Sequence, residues 1–360
     1  MVRMERIRMS FPRRQSQQRA RLGILVCLLA LYVAHATPSA AEPRQASART
    51  NAHTAARKAL LQGNADQAIA LLSPLISSNP SDADALNLLC RVHLSEERDD
   101  DAVRECSAAV AASPSTAEYY RWLGRAYGAK AQHASMFTAL GLARRVRENF
   151  QRAVQLDPLN ATALTDLGEY YVEAPGALGG GKEKARTLVP ALDKLDPARG
   201  HWLQARIAED SGDPATAEAQ YKLAVETASP TSVSNGNATS KAQAMADLAS
   251  FLHKQHRNTE ARALVRRIMT MDTLHDGALV AAAGTLRSMK AEPQLAIQMM
   301  QSYLESPHKS EEYPAFQVNV ILGRVLLEQG DREGAAAQFA AALSLAHDYA
   351  PAIKAQKSLR

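Results

Sequence analysis

The sequence predicts an all-α chain made of repeated helical hairpins, and three observations carry that prediction. Alanine supplies 68 of the 360 residues and aromatics only 5%, a composition that favours closely packed helices. Prolines close a series of alanine-rich segments at Pro80, Pro114, Pro158 and Pro197, which lie 34, 44 and 39 residues apart. Small residues recur where the two helices of each hairpin would cross, and a period of roughly 20–50 residues marks a stacked array.

Residues 1–41 stand outside this pattern. Seven arginines and one glutamate precede or flank "LGILVCLLALYVA", residues 22–34, which carries no charge. Small-residue sites follow at Ala34-His35-Ala36 and Ser39-Ala40-Ala41. That order is the order of a secretory signal peptide, and the run is shorter than the roughly 17–25 residues of a membrane-spanning helix. The expectation is an exported, periplasmic protein. Retention of the segment as an inner-membrane anchor is the alternative, and the one route to membrane association. The whole chain carries +5 and this segment +6, so the remainder is −1. The basic balance therefore gives no case for nucleic-acid binding.

After a short flexible linker, 42–50, the repeats run in order. An N-terminal array of five spans 51–230, with insertions at 128–143 and 174–182. A polar stretch of turn formers, 231–241, separates it from a C-terminal array, 242–360, whose "YAPAIKAQKSLR" forms a capping helix. The crossing pairs are Ala56/Ala68, Cys90/Ala102, Gly124/Val146, Gly168/Ala185, Ala205/Ala217, Ala249/Ala261, Gly284/Ala296 and Gly323/Ala335. Fourteen of these sixteen residues are Gly or Ala, where about four would fall there by chance. This points to eight hairpins.

Tyr120, Leu123, Gly124 and Tyr127 in "YRWLGRAY" follow the pattern W-x2-L-G-x2-Y, with Tyr for Trp. Leu164, Leu167, Gly168 and Tyr171 repeat it, as do Leu322 and Gly323. On these residues the chain resembles the tetratricopeptide repeat family. The resemblance implies a right-handed superhelical solenoid in which the first helix of each hairpin lines a concave groove. It also implies that the residue after each first-helix crossing position faces that groove. Those residues are Arg57, Arg91, Arg125, Glu169, Arg206, Ser250, Thr285 and Arg324, five of them arginine. Arg121 lies one turn before Arg125, and Trp202 one turn before Arg206. Guanidinium groups donate paired hydrogen bonds to carboxylates and phosphates, so the set reads as a groove for acidic or extended partner segments. The plainer reading is a solvated face whose arginines pair with nearby Asp or Glu.

"APGALGGGKEKA", 174–185, matches the start of a nucleotide-binding loop at Gly176, Gly181 and Lys182. It follows no strand, and Glu183 stands where Ser or Thr would hold magnesium. A lengthened turn is the expectation, and no nucleotide. Met136, Phe137, Leu140 and Leu142 in the other insertion either form a protruding contact ridge or pack on their neighbours. Cys90 and Cys106 sit on opposite helices of the second hairpin, about one helical turn out of register, and are read either as a disulfide or as two buried thiols. His253 and His256 find no acidic or thiol partner for a metal, and no catalytic motif appears. The expectation is a non-enzymatic envelope scaffold without cofactor or metal that binds other proteins. The alternative is a polysaccharide or anionic-polymer binder of an export or assembly system.

Overall fold

The computed structural model describes residues 41–230, 238–272 and 274–359. The signal segment expected over residues 1–41 thus lies outside the described residues, apart from Ala41, as does most of the 231–241 stretch. Residues 45–360 form one compact unit, and its hairpins follow the sequence pattern. They are α1 (Ala41–Leu61) with α2 (Ala65–Ser78), α3 (Ala83–Ser95) with α4 (Asp99–Ala112), and α5 (Ala117–His133) with α6 (Met136–Leu156). Next come α7 (Ala161–Glu173) with α8 (Lys182–Arg186) and α9 (Val189–Leu195), then α10 (Pro197–Asp210) with α11 (Pro214–Thr227). Last are α12 (Lys241–Lys254) with α13 (Asn258–Met271), α14 (Gly277–Ser288) with α15 (Pro293–Glu305), and α16 (Ala315–Glu328) with α17 (Arg332–Leu345). The short helix α18 (Ala350–Lys357) closes the stack.

Local chemistry sets the helix boundaries. The Asp82, Asn160, Asp196, Asp213 and Asp331 side chains each accept a backbone N–H at a helix start, which satisfies donors that the helix itself leaves open. Pro80, Pro114 and Pro158 each stand two residues beyond the end of a helix, because proline disfavours helical backbone in the residue before it. Hairpin four departs from expectation. Its second helix is broken into α8 and α9, since Pro190 lacks an N–H and its ring crowds the carbonyl one turn back.

The crossing residues are where the hairpins close. Ala56, Ala68, Cys90, Ala102, Ala185, Ala205, Ala217, Ala249, Ala261, Ala296 and Ala335 are fully buried. A Cβ on Gly124 would stand 2.5 Å from the Phe150 ring, and one on Gly323 2.5 Å from Phe339. Gly284 is the exception. A Cβ there would meet nothing within 4 Å, while Ala282 and Ala283 beside it are fully buried. In hairpin seven the expected first-helix residue therefore does not stand at the close crossing, although its partner Ala296 is buried as expected.

The hairpin-three insertion lengthens both helices, to 17 and 21 residues. Cys90 and Cys106 are joined as a disulfide, with Cα atoms 5.3 Å apart. The stack runs through the expected boundary between arrays without a break. α11 packs on α12, and Tyr221 meets Phe251 at 5.1 Å between ring centroids. The neck of the intervening segment is pinned by Ser229, whose N–H donates to Thr239 O at 3.0 Å and whose carbonyl accepts from Lys241 N at 2.8 Å.

The local pattern does not announce the closure of the array. Leu60, Leu72 and Leu88 share one buried core with Phe316, Val320 and Phe339, so the first hairpins pack on the last. Polar contacts line this seam. Gln62 donates to Pro307 O at 3.0 Å, Gln317 to Ser95 O at 2.5 Å, and Tyr349 OH to Glu97 at 2.9 Å. Gly63, at φ 68°, lets the α1–α2 turn approach Ala315 more closely than any Cβ would permit. Several first helices, α11 and the 307–313 loop then line a half-open interior cavity of about 880 Å³.

Candidate functional site: the inner face and its arginines

The inner face is organised around Trp122, which projects from α5 and is only 8% exposed. Three guanidinium groups stack on its ring: Arg91 at 4.7 Å from the centroid, Arg121 at 4.6 Å and Arg125 at 5.2 Å. The ring quadrupole attracts each cation. The indole N–H donates to Glu118 Oε1 at 2.6 Å, which fixes the ring. Helical spacing explains part of the cluster, because Glu118, Arg121, Trp122 and Arg125 lie three or four residues apart along one helix.

Each of these arginines has an internal carboxylate. Arg121 donates two bonds to Glu118, at 2.6 and 2.9 Å, and reaches Asp166 at 3.3 Å. Arg125 forms a bidentate pair with Asp166 at 2.7 and 2.9 Å. Burial works against the Arg125 charge, and Asp166 more than restores it, so its pKa lies above the usual value. Burial is likewise the largest single influence on Glu118 and opposes its charge, but the Arg121 bond and charge, the Trp122 bond and the Arg91 charge together outweigh it, and the carboxyl is held below its usual range. Arg91 pairs bidentately with Glu311, 220 residues away on the loop between α15 and α16. Arg57, Arg91 and Arg125, one repeat apart in sequence, thus stand in different electrostatic settings.

The other expected groove residues are spread further round. Arg206 bonds to Glu173 at 2.9 Å and Glu209 at 3.3 Å, with Trp202 6.0 Å away. Arg57 and Arg324 are exposed and form no ion pair among the described residues. Arg57, Arg125 and Trp202 line the interior cavity. In the expected ridge, Met136, Phe137 and Leu140 are exposed at 71%, 88% and 43%, but Leu142 is buried in the core beside Val146. Leu142 is therefore no part of an outward ridge, because that position of the helix faces the hairpin partner.

The glycine-rich insertion is a turn. Gly176–Leu178 forms one short 3-10 turn, and Gly179 and Gly181 take φ of 86° and 136°. Gly181 N–H donates to Tyr171 O at 2.7 Å, and Gly180 N–H to Pro175 O at 3.2 Å. Lys182 is held by Asp210 at 2.9 Å and Lys184 by the Gly179 carbonyl at 2.8 Å. These backbone and lysine donors of the loop are thus spent within the chain. His253 bonds to Asn258, and among the described residues no three His, Cys, Asp or Glu side chains gather as for a metal. Among those residues, too, no helix is long and apolar enough to cross a membrane.

Two groups were not singled out by the sequence. Asp247, on the cavity wall, has its pKa pushed up to about 7 by burial, a shift that the Gln243 bond at 3.1 Å partly offsets and nearby Glu312 reinforces. Glu311 sits in an irregular loop with no helical period, so nothing in its surroundings marks it as the partner of Arg91. The one available hint of Asp247 is its place after Ala246 on a groove-facing helix.

Comparison with known proteins gives a family match over part of the chain. Residues 59–126 match the tetratricopeptide repeat family model. Among solved structures, the chain is similar to a thermophilic tetratricopeptide-repeat protein of Thermus thermophilus, with 22% identity over 60% of this chain and 99% of that one, at a TM-score of 0.45. It is also similar to a tetratricopeptide repeat protein of Parabacteroides merdae, with 13% identity over 87% of this chain and 99% of that one, at a TM-score of 0.43. No curated protein matches it. Residues 59–126 thus match the tetratricopeptide repeat family, and the hairpins before and after them, among the described residues, repeat the same helix–turn–helix unit.

Proposed function

We propose that this chain is a non-enzymatic scaffold of the cell envelope that takes extended, acidic segments of partner proteins onto its arginine-bearing inner face. Arrays of this family generally serve protein–protein interaction, and each repeat adds a modest contact to one continuous surface. The observation that carries the finer reading is the interior cavity. On its α1 side stand Arg57 and Lys58, neither in an ion pair among the described residues. An envelope location is supported by the charged, then apolar, start of the sequence and by the Cys90–Cys106 disulfide, since such bonds persist in oxidising compartments.

The test is a pull-down from envelope extract with the wild-type chain and with Arg57→Glu plus Lys58→Glu. Both positions are exposed, so the variant should melt like the wild type. The expected outcome is a defined protein recovered by the wild type and lost by the variant. Recovery of an anionic polysaccharide instead would favour the polymer-binding alternative. Identical recoveries would overturn the arginine-bearing face as the binding surface. Cell fractionation checks the location, and a cytoplasmic chain would sink the envelope assignment.

A further inference from the structure

Resting on that reading, we infer that Arg91 and Trp122 form a carboxylate receptor whose resident occupant, Glu311 of the chain's own 307–313 loop, competes with an acidic side chain of the partner segment. The receptor is built without Glu311. Arg91 lies on α3, with its guanidinium stacked 4.7 Å from the Trp122 centroid. Trp122 is itself held by Glu118. The Arg91 and Glu311 side chains are only 7% and 15% exposed, so the pair is shielded from bulk water and its charges are weakly screened.

The loop, in turn, is built without Arg91. Tyr303 OH donates to Tyr313 O at 2.6 Å and accepts from Ser310 N at 3.0 Å, and Ser306 Oγ donates to Leu274 O at 2.6 Å. Tyr313 and Ser310 also close over Gly277, where a Cβ would stand 2.8 Å from the Tyr313 ring. Both ends of the loop are therefore anchored to α14 and α15, and Glu311 reaches across to α3 from a fixed base. Replacing its carboxylate by another needs the movement of a side chain and a few loop residues, not the loss of the loop. Room exists beside it, since Arg125, Glu312 and Tyr313 line the interior cavity. The next carboxylate, Glu312, is exposed and forms no ion pair among the described residues. "SEEY", 310–313, is thus an internal copy of the segment chemistry that the receptor accepts: a carboxylate for Arg91, a second acid toward Arg125, then an aromatic.

A tethered occupant acts at an effective concentration that reaches the millimolar range, so removing it raises the apparent affinity for a free acidic segment. The probe is a labelled, end-capped peptide of residues 307–314, PHKSEEYP, titrated against the full chain by fluorescence anisotropy. Glu311→Gln is expected to bind it at least tenfold more tightly than the wild type. Arg91→Gln added to Glu311→Gln is expected to abolish the gain, as is a peptide with both glutamates changed to Gln. Glu311→Asp keeps a charge beside Arg91, is expected to give an intermediate gain, and stands in if Glu311→Gln does not fold by circular dichroism. Equal binding by the wild type and the folded Glu311 variant would overturn the inference. So would retention of the gain without Arg91. Gln317→Ala cuts a neighbouring seam bond without touching Arg91, and a gain there equal to that of Glu311→Gln would assign the effect to a loosened seam and overturn it too. The scaffold reading falls separately: loss of partner dependence on Arg57 and Lys58 removes that reading and leaves the receptor standing, whereas failure of the peptide experiment removes only the receptor.

Discussion

Replacing Asp247 by Asn should stabilise the protein at alkaline pH and leave it nearly unchanged in acid. Asp247 lies on α12 facing the interior cavity, where burial is the main cause of a pKa raised from 3.8 to about 7. A carboxyl whose folded pKa exceeds its unfolded value holds its proton more tightly when folded. Its stabilising contribution is complete below the unfolded pKa and is lost as pH rises through the folded one. The window is thus about pH 4 to 7. A shift of about three units at about 1.4 kcal/mol each gives an upper bound of about 4 kcal/mol, and the part of Asp247 that opens to the cavity lowers it. The Asn side chain keeps the size and a hydrogen-bonding group for Gln243 and carries no charge to desolvate. Urea unfolding of the wild type and Asp247→Asn at pH 4.5, 6 and 8 isolates the effect, because every other titrating group is common to both. The difference should grow from about 1 kcal/mol or less at pH 4.5, at the lower edge of the window, to about 2–4 kcal/mol in favour of the variant at pH 8. A difference independent of pH, or a variant less stable at pH 8, would refute the reasoning.

Further outcomes follow from the packing. Reducing the Cys90–Cys106 bond, or replacing both residues by Ala, should lower stability by about 3 kcal/mol for a closed loop of this length; an unchanged denaturation midpoint would count against it. Gly323→Val should cost about 1–3 kcal/mol by driving side-chain atoms into the Phe339 ring. Gly284→Ala should instead stabilise its helix by up to about 1 kcal/mol, because the added methyl meets nothing. Thermal melts of the two variants should shift in opposite directions. Tyr349→Phe should cost about 1 kcal/mol by removing the seam bond to Glu97; a larger midpoint change would mean that the seam opens cooperatively.

The amino-acid sequence by itself determined the eight hairpins, because their signals are local. A side chain capping its own helix, a proline two residues past a helix end, and an alanine opposite an alanine within one hairpin all act over fewer than about 40 residues. The same locality made the Cys90–Cys106 contact legible, at a separation of 16. It also gave the arginine positions, but not their state. Arg125 meets Asp166 one repeat on, at a separation of 41, and Arg91 meets Glu311 at a separation of 220. Only the tertiary structure decided those pairings, along with the shared core of Leu72 and Phe316 and the desolvation of Asp247. The reason is that each hairpin rotates slightly against the last. Whether the first hairpin reaches the eighth depends on the sum of all those small rotations, which no single stretch of sequence carries.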